Sequence, residues 1–245
     1  MAEQQQRSSL PTRYRTTRPI LPLTPDRKII EARVNDTTTI QLRRFETTDL
    51  EHVHRLRTQE AVMVNTSAGI RDASLGVTQT WMDRFLPPND AVTFDLLLWV
   101  KQGDEPWEHI GVMGCHVFEP VPHVGYMLRT EWWGKGVATK ALQAFLDAWW
   151  VLDRREVELD LRGVEDEHES HLMRLEWNNE KSDVDLGVGM RAVPEILLAE
   201  IEERNIGSIK VAERCGFKYR SRESVKEEQG SFVLLDYTAT DPSTQ

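Results

Sequence analysis

Residues 124–142 read Val124-Gly-Tyr-Met-Leu-Arg-Thr-Glu-Trp-Trp-Gly134-Lys-Gly136-Val-Ala-Thr-Lys-Ala-Leu142. The beginning of this stretch is rich in β-branched, aromatic and apolar residues, which predicts a strand over Val124–Leu128. From Ala138 onward, apolar residues recur at the spacing of one buried helical face. The two glycines between these segments predict a tight turn, so a strand, a turn and a helix follow one another.

This order predicts an anion-binding loop. The first turn of a helix carries backbone N–H groups without intrahelical partners, and the helix dipole adds positive potential there. A pyrophosphate is a common ligand of such a site, and glycine lets its oxygens approach the backbone. A dinucleotide-binding loop would need a third glycine where Thr139 stands, and a P-loop would end differently. From these residues alone, an ordinary tight turn remains the alternative.

Composition and charge describe one globular domain with appendages. The chain has 245 residues, of which 40% are hydrophobic and 29% charged, and its longest apolar run, Phe94–Val100, is strand-sized. A net charge of −10 disfavours nucleic acids and anionic membranes as partners and favours a cationic one. Two cysteines form no disulfide framework and suit a reducing compartment, so we predict a cytoplasmic protein.

Residues 1–36 are predicted to be a mobile N-terminal extension, because the first 28 contain four prolines and no apolar periodicity. Arginines among serines and threonines also resemble a mitochondrial transit segment, but no amphipathic helix supports that reading. Residues 37–240 are predicted to form the main domain, with an acidic insertion at about 151–194. Within it, His168 and His171 are interpreted as surface residues rather than metal ligands.

The remaining patterns predict the elements around the loop. A hairpin over 29–45 is followed by two short helices, separated by the irregular segment Gln59–Asp72. The strands that follow are predicted at 93–100, 109–118 and 195–202, and a closing hairpin at 219–238. Asn205 and Gly216 have the residue types of a helix N-cap and C′ position, which predicts a short helix between them.

Two motifs resemble the GNAT superfamily of N-acetyltransferases. The loop Glu131-Trp-Trp-Gly134-Lys-Gly136 is similar to the family's phosphate loop, Gln/Arg-x-x-Gly-x-Gly/Ala, with Glu131 in place of the usual Gln or Arg. The second motif, Asn205-Ile-Gly-Ser208 with Gly216-Phe217 after a short helix, resembles the branch that acetylates ribosomal-protein N-termini (RimJ/RimL-like) and its fungal relatives. The resemblance covers roughly residues 37–240.

The resemblance implies an α+β fold in which helices flank a mixed, mostly antiparallel sheet with splayed central strands. It implies direct transfer of an acetyl group from acetyl-CoA to a primary amine in a ternary complex, without a metal. The Gln59–Asp72 connection would line the acceptor pocket. The residues that it assigns to acetyl-CoA are Met127, Leu128, Arg129, Gly134, Lys135, Gly136, Val137, Ala138, Thr139, Asn205 and Ser208.

For the general base, Glu200 is the first candidate, because several family members carry a catalytic glutamate five residues before the asparagine. A solvent-facing strand residue is its alternative interpretation. Asp95, His116 and Tyr126 are further candidates, since strand alternation could direct them into the cleft.

The proton donor to the leaving thiolate is often a tyrosine seven residues after the asparagine, where this chain has Ala212. Ser208, or water held by Asn205, would then replace it, and CoA thiolate is also a good enough leaving group to depart without an acid. Cys215 is interpreted as a packed helix residue, because this chemistry needs no acyl-enzyme.

The acceptor amine is left open among a protein N-terminus, a lysine and a small amine. The alternative function is a non-catalytic acyl-CoA-binding module that acts as a sensor or interaction protein. Two features favour it: Ala212 stands where the family often has a tyrosine, and Glu131 stands where it usually has Gln or Arg. The sequence makes no prediction of oligomeric state.

Overall fold

The computed structural model describes residues 13–20, 29–117, 121–160, 184–185, 190–227 and 230–241. Its helices are α1 (Leu50–Arg57), α2 (Glu60–Met63), α3 (Leu75–Met82), α4 (Val137–Trp150) and α5 (Ile206–Arg214). Its strands are β1 (Arg13–Pro19), β2 (Ile29–Arg33), β3 (Thr38–Arg43), β4 (Phe94–Gln102), β5 (Glu108–Val117), β6 (His123–Leu128), β7 (Arg154–Asp160), β8 (Val184–Asp185), β9 (Met190–Ala192), β10 (Ile196–Glu202), β11 (Lys218–Glu227) and β12 (Gly230–Thr240). None of the described helices is long and apolar enough to cross a membrane.

The chain divides into two compact units. One comprises the described residues within Met1–Ile20, Asp153–Ile196 and Thr240–Gln245, and it contains a four-stranded sheet in the order β7-β1-β9-β8. The other comprises the described residues within Leu21–Leu152 and Leu197–Ala239, and it contains an eight-stranded sheet in the order β11-β12-β10-β6-β5-β4-β3-β2.

The eight-stranded sheet is mostly antiparallel, with a divergence at its centre. Strands β2 to β6 pair antiparallel with their neighbours, as do β11 and β12. In contrast, β10 runs parallel to β6, and the two match in register at one pair, Leu198 and His123. Beyond that pair the strands splay apart, which confirms the predicted mixed sheet with splayed central strands.

Strand β4 explains how the sheet holds helices on both faces. Leu96 and Leu98 are buried in the cluster that contains α4 residues such as Phe145, while Leu97 and Trp99 are buried in the cluster formed with α1 and α3. Successive strand residues point to opposite faces, so a strand buried on both sides carries a continuous apolar run. The run Leu96–Val100 has that property, and Phe94 and Asp95 before it are also buried.

Residues 13–19, within the predicted N-terminal extension, form a regular strand. Strand β1 pairs antiparallel with β7 along its whole length, from Arg13 opposite Asp160 to Pro19 opposite Arg154. Every second residue is buried, but two of these, Thr16 and Arg18, are polar. A search for alternating apolar residues therefore does not detect this strand, because two of its buried positions are polar. The predicted insertion contributes β7, β8 and β9, while His168 and His171 lie outside the described residues.

Buried His109 gives the fold a pH dependence. Its ring lies 6.1 Å from that of His52 on α1 and 5.4 Å from Trp99. Burial lowers the pKa of His109 to about 4, so the unfolded chain binds a proton at higher pH than the folded one does. The contribution to stability is fully present above the unfolded pKa of about 6.5 and is lost as pH falls toward about 4.

We therefore expect the unfolding free energy to fall between pH 6.5 and 4, and His109→Gln to flatten this slope. Urea denaturation at several pH values measures both. An identical slope in the variant would show that other groups set the acid dependence.

Candidate active site

A cavity of about 650 Å³ opens in the larger unit where β6 and β10 diverge. It is lined by the facing strands, the first turn of α4, one face of α5 and the end of α2, which contributes Val62. Asn65 and Thr66, from the predicted acceptor segment Gln59–Asp72, also line it. One cavity therefore brings together the glycine loop, the second motif and the acceptor segment.

The glycine loop has the conformation that the sequence predicted. Gly134 and Gly136 have φ values of 72° and 75°, in the left-handed region that side chains disfavour. Gly136 immediately precedes α4, and both glycines line the cavity with Val137, Ala138 and Thr139. The unpaired N–H groups of the first helical turn therefore lie at the cavity wall. Lys135 does not line the cavity, and its Nζ lies 4.8 Å from the Trp132 ring centre.

Helix α5 adds positive charge to the cavity wall. Cys215 Sγ lies 3.5 Å from the carbonyl oxygen of Thr139, which places the C-terminal end of α5 beside the first turn of α4. Lys210 and Arg214 of α5 line the cavity. Cations beside a helix N-terminus, in a chain of net charge −10, fit a pyrophosphate-containing ligand.

The backbone of β6 has one edge toward the gap. The Arg129 N–H donates to the Ile110 carbonyl at 2.8 Å, and the Leu198 N–H donates to the Pro122 carbonyl at 2.8 Å. The first bond shows that the backbone N–H of Arg129 faces β5, and the second shows that the carbonyl of Pro122 faces β10. Because the backbone groups of successive residues alternate between the two edges of a strand, the backbone N–H groups of Tyr126 and Leu128 face the gap. Their N–H groups are therefore the ones available to a ligand between β6 and β10.

Two of the residues that the resemblance assigns to acetyl-CoA, Arg129 and Met127, turn their backbone groups away from the gap. The Arg129 amide is used within the sheet, and its buried side chain pairs with Glu108 at 2.6 Å and Glu131 at 2.8 Å. Arg129 does not line the cavity. Met127 does line it, but alternation turns its backbone toward β5.

Glu131 joins the acceptor segment to the start of the glycine loop. The Gln59 Nε2 donates to Glu131 Oε2 at 2.9 Å, and the Gln59 Oε1 accepts the Thr130 N–H at 2.9 Å. Hydrogen bonds from Gln59 and Arg129 lower the pKa of Glu131 to about 2. We call Gln59, Thr130 and Glu131 the loop clip. Glu131, which stands where the family usually has Gln or Arg, is thus held by hydrogen bonds from Gln59 and Arg129.

Removing the loop clip should weaken cofactor binding without abolishing it. Gln59→Leu removes two hydrogen bonds worth about 1 kcal/mol each, only part of which acts through the loop, so we expect about a 3–10-fold loss of CoA affinity. Calorimetry with CoA measures it. Gln79→Leu is the matched control, because Gln79 bonds Asp83 on the surface away from the cavity. Equal affinities of both variants would contradict a role for the loop clip.

Glu200, the first candidate base, lines the cavity and has a partner that the sequence did not indicate. Its Oε2 lies 2.9 Å from His123 Nδ1 across the start of the splayed strands. Asp95, one of the other candidates, does not line the cavity. The side chain of His116 lies outside the described residues.

Tyr126 and the second motif meet inside the cavity. The Tyr126 Oη donates to Ser208 Oγ at 3.0 Å, and the Ser208 N–H donates to Asn205 Oδ1 at 3.1 Å. Asn205 caps α5, as predicted from its residue type. Burial raises the pKa of Tyr126, so its phenol keeps its proton at neutral pH and is unsuited to act as a base.

In the described part of the chain, no group of three or more His, Cys, Asp or Glu side chains could hold a metal ion. The polar groups among the described residues that line the cavity are backbone amides, hydroxyls, amide side chains, carboxylates and cations.

Solved structures share this architecture. An acetyltransferase of the GNAT family from Bacillus anthracis aligns with a TM-score of 0.56 at 16% identity, covering 87% of this chain and 98% of its own. RimL, a ribosomal-protein α-N-acetyltransferase in complex with coenzyme A, aligns at 0.57 and 16%, covering 87% and 98%. Spermidine N-acetyltransferase from Vibrio cholerae, in complex with CoA and spermine, aligns at 0.52 and 13%, covering 84% and 97%.

A comparison with curated protein sequences finds no match for this chain. At identities this low, the structural likenesses show the fold alone. A family model described as an acetyltransferase (GNAT) domain matches residues 39–218, which include the glycine loop, the cavity and helix α5. The chain therefore belongs to the GNAT acetyltransferase family.

Proposed function

We propose that this protein transfers an acetyl group from acetyl-CoA to a primary amine of a protein or peptide, in a ternary complex. The observation that carries the proposal is the cavity between the splayed strands, which the first turn of α4 and the acceptor segment both line. The first turn of α4 would bind the phosphates of one substrate, and the acceptor segment would contact the other. Their presence in one cavity supports simultaneous binding of two substrates. Family membership supports acetyl-CoA as the acyl donor.

The residues would divide the work as follows. Acetyl-CoA supplies an acetyl group on a thioester whose carbonyl carbon an amine attacks. Gly136 and the first-turn amides of α4 would hold the phosphates, with Lys210 and Arg214 beside them. The N–H groups of Tyr126 and Leu128 face the gap, where one would stabilise negative charge on the thioester oxygen.

Two side chains would move protons. Glu200 would accept the proton that the amine loses, with His123 holding its carboxylate in position. Ser208 would give a proton to the leaving sulfur from the first turn of α5. Glu200 and Ser208 line the same cavity, which supports their acting as the base and the acid of one reaction.

The charge of the lining supports a peptide amine over a polyamine. Among the described residues that line the cavity, Glu200 and Glu202 are the two carboxylates. Glu202 already pairs with Arg204 at 2.6 Å, and Glu200 with His123. A polyamine needs several carboxylates to match its charges, whereas one amine at the end of a peptide needs few.

Incubation with acetyl-CoA and a mixed pool of peptides and small amines, followed by mass spectrometry, tests the proposal. We expect a gain of one acetyl group on particular peptides, and fragmentation assigns it to an α- or ε-amine. Acetylated polyamines with unmodified peptides would overturn the acceptor class. Binding of acetyl-CoA without any transfer would favour a non-catalytic acyl-CoA-binding module.

A further inference from the structure

The hydrogen bond between Tyr126 and Ser208 links the central strand to the second motif. Tyr126 comes from β6 and Ser208 from the first turn of α5, and both line the cavity. Their oxygens lie 3.0 Å apart, with the phenol as donor. Ser208 is further fixed by the bond from its N–H to Asn205.

The direction of this bond determines where the serine proton points. A hydroxyl has one hydrogen and can accept two hydrogen bonds. Because Ser208 Oγ accepts the hydrogen of Tyr126, its own hydrogen is directed to another partner. A serine hydroxyl is also a poor acid alone, so it can give up its proton only if another group replaces it.

The phenol reaches the face of α5 on which the family resemblance implies a tyrosine acid. That position is Ala212, whose side chain is buried in the core. Ser208 and Ala212 are one turn apart on the same face of the helix. Tyr126 thus brings a phenol to this face from the neighbouring strand instead of from α5 itself.

We propose that Tyr126 is a positioning and relay residue that orients Ser208 and replaces its proton during acetyl transfer. This inference rests on the proposed function. As the amine forms its bond to the carbonyl carbon and the C–S bond breaks, the leaving sulfur takes the proton of Ser208. Ser208 then takes the proton of Tyr126, while the proton lost by the amine passes to Glu200 and on to solvent, from which Tyr126 is reprotonated. The products are the acetylated amine and CoA thiol.

The surroundings of Tyr126 keep the relay protonated at rest. Burial raises the pKa of Tyr126, while the bond to Ser208 opposes that shift. Cys215 is the other titratable group that acts on Tyr126, and burial raises the pKa of its own thiol to about 11, so it stays neutral. Within the part of the chain that the structure describes, the charged side chains that line the cavity are Glu200, Glu202, Arg204, Lys210 and Arg214.

Titration of the thiol of bound CoA tests the relay without an acceptor. Thiolate absorbance is followed against pH with saturating enzyme, for the wild type, Tyr126→Phe and Ser208→Ala. A hydroxyl donor stabilises the bound thiolate, so we expect its deprotonation to shift to higher pH by about one pH unit in both variants. Tyr219→Phe is the matched control, because Tyr219 is an exposed tyrosine outside the cavity. The same titration curve in wild type and Tyr126→Phe would overturn the relay.

Desulfo-CoA separates this role from a structural one. We expect Tyr126→Phe to bind desulfo-CoA with wild-type affinity, since the phenol acts on the cofactor only at the sulfur, through Ser208. Equal losses of affinity for CoA and desulfo-CoA would mean that the phenol maintains the shape of the cavity, which overturns the relay. Failure of the proposed function has a different signature, because the wild type would then produce no acetylated amine.

Discussion

Replacing Gly136 by glutamate is expected to abolish measurable binding of acetyl-CoA. The new residue must adopt a φ of 75°, in a region that costs a side chain about 1–2 kcal/mol. It also places a negative charge at the N-terminus of α4, where the phosphates would bind. Loss of two charge-assisted backbone contacts at about 1.5 kcal/mol each already corresponds to an affinity at least ~100-fold weaker.

Isothermal titration with acetyl-CoA measures this effect. Gly103→Glu is the matched control, because Gly103 has a φ of 54° and open space around it, and it does not line the cavity. That variant carries the same added charge and a similar backbone strain, so it should keep wild-type affinity. Retained binding in Gly136→Glu would refute the assignment of the glycine loop to the phosphates.

Replacing Glu200 by glutamine is expected to lower kcat by about 10²–10⁴-fold, the usual contribution of a general base. The amide cannot accept the proton of the amine, so the acid limb of the pH–rate profile should flatten. Affinity for CoA should change little, because Glu200 makes its described contact with His123 rather than with the glycine loop.

The pH–rate profiles of the wild type and Glu200→Gln, with the acceptor found by mass spectrometry, measure this effect. Glu203→Gln is the control, since Glu203 lies just after β10, pairs with Arg222 at 3.0 Å and does not line the cavity. An unchanged profile in Glu200→Gln would remove Glu200 as the base and turn attention to its partner, His123.

The glycine loop could be predicted from sequence because its cause is local. A strand, two glycines and an amphipathic helix specify the loop, and the structure gives Gly134 and Gly136 the left-handed conformation. The capping role of Asn205 was predictable for the same reason. The order of strands and helices likewise confirms the predicted fold.

Features that depend on register and distant pairing could not be predicted. Which edge of β6 faces the gap is set by its ladder with β5, in which the Arg129 N–H donates to the Ile110 carbonyl instead of facing the gap. The partner of Glu200, His123, is adjacent only because β6 and β10 run parallel. Gln59 likewise reaches Glu131 from a segment far away along the chain.

The terminal segment and the acidic insertion keep some predictions open. Residues 1–12 and 161–183 lie outside the described residues, so the transit-segment and metal hypotheses are not tested there. The mobility of the extension stays a prediction, and within its described residues Arg13–Pro19 form β1 and Ile29–Arg33 form β2. The assignment of the cavity residues to acetyl-CoA stays a prediction for the titrations above.

Strand β1 has a consequence for folding and for shortened versions of the protein. It lies between β7 and β9, and both partners come more than a hundred residues later in the chain. The four-stranded sheet therefore forms only after β1 has paired with these distant strands. Contacts of such sequence separation slow folding. A shortened protein that lacks residues 1–20 would lose β1 and leave the edges of β7 and β9 unpaired, and unpaired strand edges favour aggregation. The N-terminal segment and the insertion therefore need to be kept together or removed together.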